Sequence, residues 1–390
     1  MTDRVFLHIG GPKTGTTYLQ DVMLGNRERL MHQGVLYVGT RWIDHVHASL
    51  VVREHPRLKK LDPNAQLAWQ RFVDEALTFD GPTAVISHET LGVASARQAA
   101  RAIADLAPAE VHVIFNAREF VSQVSATWQE HLKYRFSTPL SDWDPEKRTG
   151  RHREWSFQAI DPVGVLSRWG RDLPAERVHL LTVPRSGSAP DELWRRFAGI
   201  VGIDPDSCDL TVARPNASLG VVEAELLRRV NEHVDKPITG AHEAARWIRG
   251  NLVQRVLSPR GGRRFGVSDE VAARLTTVAE TKVAQLEASG YDVVGDLEEL
   301  RPAPRHGATL AHPDQIGDSE LLGAATESIA QLLLVIRERT LQRDAARAKV
   351  RQSGRGGGRW ELLGSRDDSK LASARGQLCR LADRIRLRSP

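Results

Sequence analysis

The 390-residue sequence predicts an α/β fold, a parallel sheet flanked by helices, followed by a helical C-terminal extension. Three observations lead there. Short apolar runs of strand length alternate with stretches whose apolar residues recur at helical spacing, the pattern of successive strand–helix–strand units. The first of these runs passes through a glycine-rich turn directly into a helix. From Val221 onward the pattern is mainly helical.

The first strand is Arg4–Gly10 (RVFLHIG), almost continuously apolar, as a strand covered on both faces must be. After the turn GGPKTGTT, the residues Tyr18, Leu19, Val22, Met23 and Leu30 repeat at helical spacing until Gly34 stops them. Further strands are expected at 34–39 (GVLYVG), 83–87 (TAVIS), 110–116 (EVHVIFN) and 177–183 (RVHLLTV). Helices are expected around 66–78, 94–106, 119–133, 163–171 and 191–201. The aperiodic stretch 137–155, rich in Pro, Asp, Arg and Trp, reads either as a loop beside a binding cleft or as an ordinary connector.

Residues 1–302 therefore form a first domain, helical from about Val221, and 303–313 a linker; Arg301–Pro313 holds three prolines and a glycine. Residues 314–390 form a helical, basic extension. In it Leu321, Leu322, Ala325, Ile329, Leu332, Leu333 and Ile336 make an apolar stripe, Gln352–Arg359 (QSGRGGGR) interrupts it, and a basic helix is expected at Ala372–Leu387.

Composition narrows the function classes. With 41% hydrophobic, 26% charged and 6% aromatic residues, the chain falls outside the disordered and collagen-like classes. Its two cysteines, Cys208 and Cys379, cannot build a disulfide framework or a four-thiolate zinc site, which fits a reducing compartment. The net charge of +5 is uneven: residues 341–390 hold 13 Lys and Arg against 5 Asp and Glu, so the first 340 residues sum to −3. No uninterrupted apolar run approaches the ~20 residues of a membrane span, and Met1-Thr2-Asp3-Arg4 leads into a strand pattern without a leader's apolar core. The expectation is a cytoplasmic chain, its arginine-rich end reading either as a contact to an anionic surface such as the inner membrane face or as a solvated or dimer-forming helix with no surface role.

The chemistry begins at Gly10-Gly11-Pro12-Lys13-Thr14-Gly15-Thr16-Thr17. Glycines let backbone N–H groups curl around an anion, and the following helix directs its positive end to the same place. Lys13 adds a mobile full charge, and Thr16 and Thr17 offer hydroxyls and amides in the first helical turn. The turn is P-loop-like without being a Walker A sequence, in which the lysine follows the last glycine; here Lys13 precedes Gly15.

A strand, this loop with P-K-T-G-T-T, and a helix resemble the 5′-phosphosulfate-binding loop of the sulfotransferases that use 3′-phosphoadenosine-5′-phosphosulfate (PAPS). Segments such as NRERLMHQGVLY, ISHETL and GYDVVGDLEEL resemble the bacterial group of that family, and together the likeness spans about residues 4–300. The resemblance implies that Gly11, Pro12, Lys13, Thr14, Gly15, Thr16 and Thr17 hold the 5′-phosphosulfate. It implies that Arg118, just after the strand 110–116 in AREFVSQVSATWQEHLK, binds the 3′-phosphate together with a hydroxyl eight residues on. That position is Ala126, and Ser125 is the replacement the resemblance points to, if the helix start is shifted.

The resemblance further implies the donor PAPS, the product adenosine 3′,5′-bisphosphate, no metal, and Lys13 neutralising charge on the departing phosphate. Two residues compete for the role of general base at the end of strand 83–87. Glu89 matches the catalytic carboxylate of glycan-modifying sulfotransferases, and His88 is the rival because the small-molecule branch uses a histidine. The implied acceptor is a hydroxyl or amine of a carbohydrate, lipid or secondary metabolite, and nucleic acid is not expected as a partner. A P-loop nucleotide kinase or hydrolase is the alternative enzyme, and a non-catalytic module with a surface-binding tail the third reading. His45 and His47, lacking a third ligand, are expected to be solvated or to line a substrate. Trp143 and Trp155 are groove candidates, and Trp128 is expected in the core.

Overall fold

The computed structural model describes residues 2–143, 156–212, 218–234, 238, 240–302 and 310–354. Six strands form one all-parallel sheet: β1 (Arg4–His8), β2 (Val35–Tyr37), β3 (Thr83–Ser87), β4 (Glu110–Ala117), β5 (Val178–Thr182) and β6 (Asp292–Val294), in the order β2-β3-β1-β4-β5-β6. The main helices are α1 (Thr16–Gly25), α2 (Trp42–Val52), α3 (Ala68–Thr78), α4 (Ala96–Ala104), α5 (Phe120–Leu132), α6 (Pro162–Trp169), α7 (Glu192–Val201), α8 (Val221–Val234), α9 (Asp269–Glu287) and α10 (Asp318–Gly354). Between α8 and α9 lies a segment of π-helical hydrogen bonding, Ala244–Leu257.

The apolar strands bury both faces because successive side chains point to opposite sides. Val5, Leu7, Ile86, Val113 and Phe115 join a core with α3, α4, α6 and α9 on one side. Phe6, Val85, Ile114 and Leu181 join Leu19, Val22 and Met23 of α1 and Trp194, Phe197 and Val201 of α7 on the other. This double covering is what the continuous apolar runs predict.

The strand order positions the site. β1 has β3 on one side and β4 on the other, with His8 in register with both Ser87 and Ile114. The carboxyl ends of β3, β1 and β4 therefore lie side by side where the winding reverses, the place at which open α/β sheets bind ligands.

Several sequence expectations are corrected. The first helix stops at Gly25 rather than running to Gly34, because the Asn26 side chain bonds back to the Val22 carbonyl at 2.9 Å and a separate short helix, Arg27–His32, follows. The stretch 221–300, read as mainly helical, contains β6; after Gly290 (φ 71°) the chain turns and Asp292–Val294 pairs with β5. His45 lies on α2 and is buried rather than solvated, its ring stacked on Tyr37 at 4.7 Å and meeting Phe72 edge-on at 4.8 Å. Trp128 is fully buried, and Trp143 is buried as well.

The chain divides into two compact units, Met1–Ser328 and Ile329–Pro390. The first continues past the proline-rich stretch: Asp314 accepts the amides of Leu140 and Ser141, and Leu321 clusters with Val221 and Ile316. Counting uninterrupted apolar runs overlooked α10, whose Asp318–Ala348 portion is long and apolar enough, by length and composition, to cross a membrane. Its apolar stripe is divided: Leu321 is buried, whereas Leu322, Ile329, Leu333 and Ile336 are exposed. Trp155, most of the expected linker and the basic helix at Ala372–Leu387 lie outside the described residues.

Candidate active site

The turn after β1 is held from below by a directed chain of hydrogen bonds. Gln20 Nε2 donates to Ser87 Oγ at 3.2 Å, and Ser87 Oγ is 2.7 Å from His8 Nδ1. His8 Nε2 is 3.1 Å from Asn116 Oδ1, and Asn116 Nδ2 donates to the Thr14 carbonyl at 3.3 Å. The amide oxygen of Asn116 accepts, so the His8 proton sits on Nε2 and Nδ1 takes the Ser87 hydroxyl proton. One neutral imidazole thereby links the ends of β3, β1 and β4 to the turn. Burial lowers the His8 pKa to about 4, against the opposing hydrogen bond to Asn116.

This gives an acid-stability prediction. An unfolded chain carries an ordinary imidazole near pKa 6.5, so between pH 6.5 and 4 it binds a proton that the folded protein refuses. The stabilisation is full above pH 6.5 and is lost as pH falls through about 4, on the order of 3 kcal/mol in all. His45, lowered by burial to about 3, acts in the same direction. Urea midpoints measured from pH 7 to 4 should fall, and His8→Asn should flatten the slope; an unchanged slope removes His8 as its source.

Three consecutive carbonyls of the turn are drawn toward β4 and α5. Gln123 Nε2 donates to Pro12 O at 2.9 Å, Arg118 to Lys13 O at 3.3 Å, and Asn116 to Thr14 O at 3.3 Å. In a trans peptide the next N–H points opposite the carbonyl, so the amides of Lys13, Thr14 and Gly15 face the other way, into the crevice. They continue into the first turn of α1; the Thr14 amide closes the hydrogen-bonded turn at Pro12–Lys13, and the amides of Lys13, Gly15, Thr16 and Thr17 have no backbone acceptor among the described residues. No side chain caps α1. Gly15 (φ 85°) takes the left-handed backbone that strains any residue with a side chain, and a Cβ there would displace Leu193 Cδ2, 2.4 Å away. Lys13 itself adopts a left-handed conformation (φ 64°), which the three carbonyl bonds hold in place. Thr14 is buried and bonds the Gly11 carbonyl at 2.6 Å, Thr16 is buried beside the same carbonyl, and Thr17 is exposed at the rim.

Lys13 meets a carboxylate. Its Nζ lies 3.4 Å from Glu130 Oε2 on α5. The same carboxylate meets Lys133 at 3.0 Å and Arg249, from the π-helical segment, at 3.4 Å. Burial opposes the Glu130 charge, yet Lys133, Lys13 and Arg249 outweigh it and hold the pKa down to about 2. For Lys13 burial is the larger influence and lowers its pKa, with Glu130 opposing.

At the end of β3, His88 and Glu89 are differently employed. His88 Nδ1 accepts the Thr90 amide at 3.2 Å and caps the short turn Glu89–Val93. Thr90 Oγ1, 2.8 Å from that nitrogen, donates to Ser49 Oγ. Glu89 Oε2 is buried and has no hydrogen-bond partner among the described residues. A buried carboxylate oxygen in that state is uncommon.

Two groups beside Arg118 are engaged within α5. The N-terminus of α5 is not open to an anion, because the Glu119 carboxylate takes the amides of Val121 and Ser122. Ser125 bonds back to the Val121 carbonyl at 3.3 Å within its own helix. Arg118 is largely buried, which lowers its pKa; Glu119 opposes the shift and Arg264 adds a like charge. Arg264, on the stretch leading into α9, is thus a second guanidinium whose charge Arg118 feels.

Sequence reasoning missed His8, Asn116, Gln123, Glu130, Arg249 and Arg264. Only the polar residues inside the otherwise apolar strands, His8 and Asn116, carried a signal that could have found them, since a buried polar group needs partners.

No protein-family model matches the sequence, and no curated protein matches it. Two solved structures are similar to the chain. A sulfotransferase from Alicyclobacillus acidocaldarius is 14% identical with a TM-score of 0.38, over 64% of this chain and 96% of that one. The sulfotransferase domain from the curacin biosynthetic pathway is 12% identical with a TM-score of 0.32, over 52% of this chain and 75% of that one. Likeness at this level assigns no residue a role.

Proposed function

We propose that the chain is a PAPS-dependent sulfotransferase acting on a hydroxyl or amine of a carbohydrate, lipid or secondary metabolite. The observation that carries this reading is the turn with the unsatisfied amides of Lys13, Gly15, Thr16 and Thr17, set between the unpartnered carboxylate oxygen of Glu89 and the guanidinium of Arg118. The amides and Lys13 fit a 5′-phosphosulfate, and Arg118 with Arg264 fits a second phosphate. Bound there, PAPS supplies an activated sulfuryl group on a phosphate that departs readily.

The chain's residues then have defined tasks. Glu89 takes the proton of the acceptor as its oxygen or nitrogen bonds to sulfur in line with the breaking bond. Lys13 meets the charge that collects on the bridging oxygen as the electron pair of the S–O bond passes to the phosphate. The products are the sulfated acceptor and adenosine 3′,5′-bisphosphate. Trp42, well exposed and with its ring 6.2 Å from that of His88, offers an apolar face to an acceptor beside the base.

Calorimetric titration tests the reading: adenosine 3′,5′-bisphosphate should bind tightly without metal, and ATP with Mg²⁺ should not. The reverse result would establish the kinase or hydrolase alternative. Arg118→Ala should weaken the bisphosphate by roughly ten- to a hundredfold, the loss of one charged phosphate contact, while leaving the melting temperature within a few degrees. Unchanged affinity would remove Arg118 from the phosphate site. The anionic-surface role of the basic C-terminal stretch belongs to the same proposal. Removing residues 341–390 should lower co-sedimentation with anionic vesicles at low salt and leave bisphosphate binding intact.

A further inference from the structure

The group around Glu130 is unbalanced in a way that requires an explanation. Three cations converge on one buried carboxylate: Lys133 and Lys13 on Oε2, at 3.0 and 3.4 Å, and Arg249 on Oε1, at 3.4 Å. Lys133 sits one helical turn along from Glu130 and is only 4% exposed, so this is a permanent, fully buried pair. Lys13 and Arg249 are the surplus. Their side chains are 17% and 34% exposed, and both contacts are longer than the 2.7–2.9 Å of a well-made charged hydrogen bond. Surplus positive charge removed from water is costly unless an anion arrives to neutralise it.

The two loose cations come from different elements. Lys13 projects from the turn whose amides face the crevice, with its backbone locked by the Arg118 and Gln123 bonds to the carbonyls around it. Arg249 comes from the π-helical segment, bonds Tyr134 Oη at 3.2 Å, and feels the charge of Glu89 as well as that of Glu130. The carboxylate thus ties together cations from both sides of the space in front of the turn.

We propose that Glu130 is an internal stand-in for the ligand's anionic group: it parks Lys13 and Arg249 while the site is empty and hands both to the entering phosphate or phosphosulfate. Glu130 is a positioning residue here, and Arg249 is the second cation of the clamp. The inference rests on the sulfotransferase reading only for the identity of the anion; the exchange of partners applies to any anion held by the turn. Anion binding at the turn therefore competes with an ion pair inside the protein, and Glu130 sets the strength of that competition.

Calorimetry with two probes tests this: inorganic pyrophosphate, which reports the anion site alone, and adenosine 3′,5′-bisphosphate, which also reports the nucleotide. Glu130→Gln removes the competing charge and should tighten pyrophosphate by about tenfold, the order expected for one unit charge at this range in a partly buried site. Adenosine 3′-monophosphate, which lacks the group at the turn, should bind equally to both proteins. Arg249→Gln should weaken pyrophosphate in the wild-type background and more strongly in the Glu130→Gln background, where the guanidinium is free to engage. Equal or weaker pyrophosphate binding by folded Glu130→Gln overturns the proposal. If that variant does not fold, Glu130→Asp withdraws the charge by one methylene and should shift affinity in the same direction by a few-fold; no shift again overturns it. Tighter pyrophosphate with no binding of the bisphosphate would uphold the clamp and defeat the sulfotransferase reading, so the two fail separately.

Discussion

Lys13→Ala is expected to lower sulfuryl transfer by ~10²–10³-fold, the usual cost of deleting a cation aimed at charge that develops in the transition state. The structure separates this loss from unfolding. Glu130 keeps Lys133 at 3.0 Å and Arg249 at 3.4 Å when Lys13 is gone, so no buried carboxylate is left unpaired. Alanine also tolerates the left-handed backbone at position 13 no worse than lysine does. The amides of residues 14–17 stay in place, so adenosine 3′,5′-bisphosphate should still bind, several-fold more weakly. The measurement is the PAPS-dependent appearance of products 80 mass units heavier in a cell extract, an increment of about one SO₃ in the chemistry of sulfuryl transfer, together with calorimetry of the bisphosphate. A variant that keeps most of its transfer activity removes Lys13 from the mechanism.

Glu89→Gln is expected to lower turnover by about 10²–10⁴-fold, the range of a lost general base, while bisphosphate affinity stays within a few-fold. The substitution preserves shape and removes basicity. The expectation rests on the buried, unpartnered Oε2 of Glu89, whereas the Nδ1 of His88 is committed to capping the turn that follows. His88→Asn should cost some stability through the loosened Glu89–Val93 turn and should leave transfer largely intact in the folded protein. If His88→Asn is the inactive variant and Glu89→Gln turns over normally, the base is His88.

The unequal legibility of the elements has a common cause. β1, its turn and α1 could be read directly, because an apolar run, a cluster of glycines and a helical repeat are neighbours in sequence and their amides belong to the same dozen residues. β6 could not: three residues, Asp292–Val294, are too few to show a period, and they are a strand only because β5 presents an edge to pair with. Asn26 ended the first helix through a side-chain bond to Val22, which competes locally with a repeat that otherwise continues. The amides at the start of α5 are taken by the Glu119 carboxylate, a partnership of neighbouring residues that depends on the side-chain conformation.

By itself the sequence determined an α/β sheet covered on both faces and a strand that passes through a glycine-rich turn into a helix, since both follow from residue types within one short stretch. It also singled out Lys13, Glu89, His88 and Arg118 as charged or titratable groups at the ends of strands. Only the tertiary structure decided which of these meet, and with what. Lys13 and Glu130 are 117 positions apart, and the His8–Asn116 bond spans 108. Such contacts exist because the order β3-β1-β4 places three strand ends side by side. That order is an outcome of packing the whole sheet between its helices, and side-chain partnerships across it are therefore set by distance in space, which no local pattern of residues encodes.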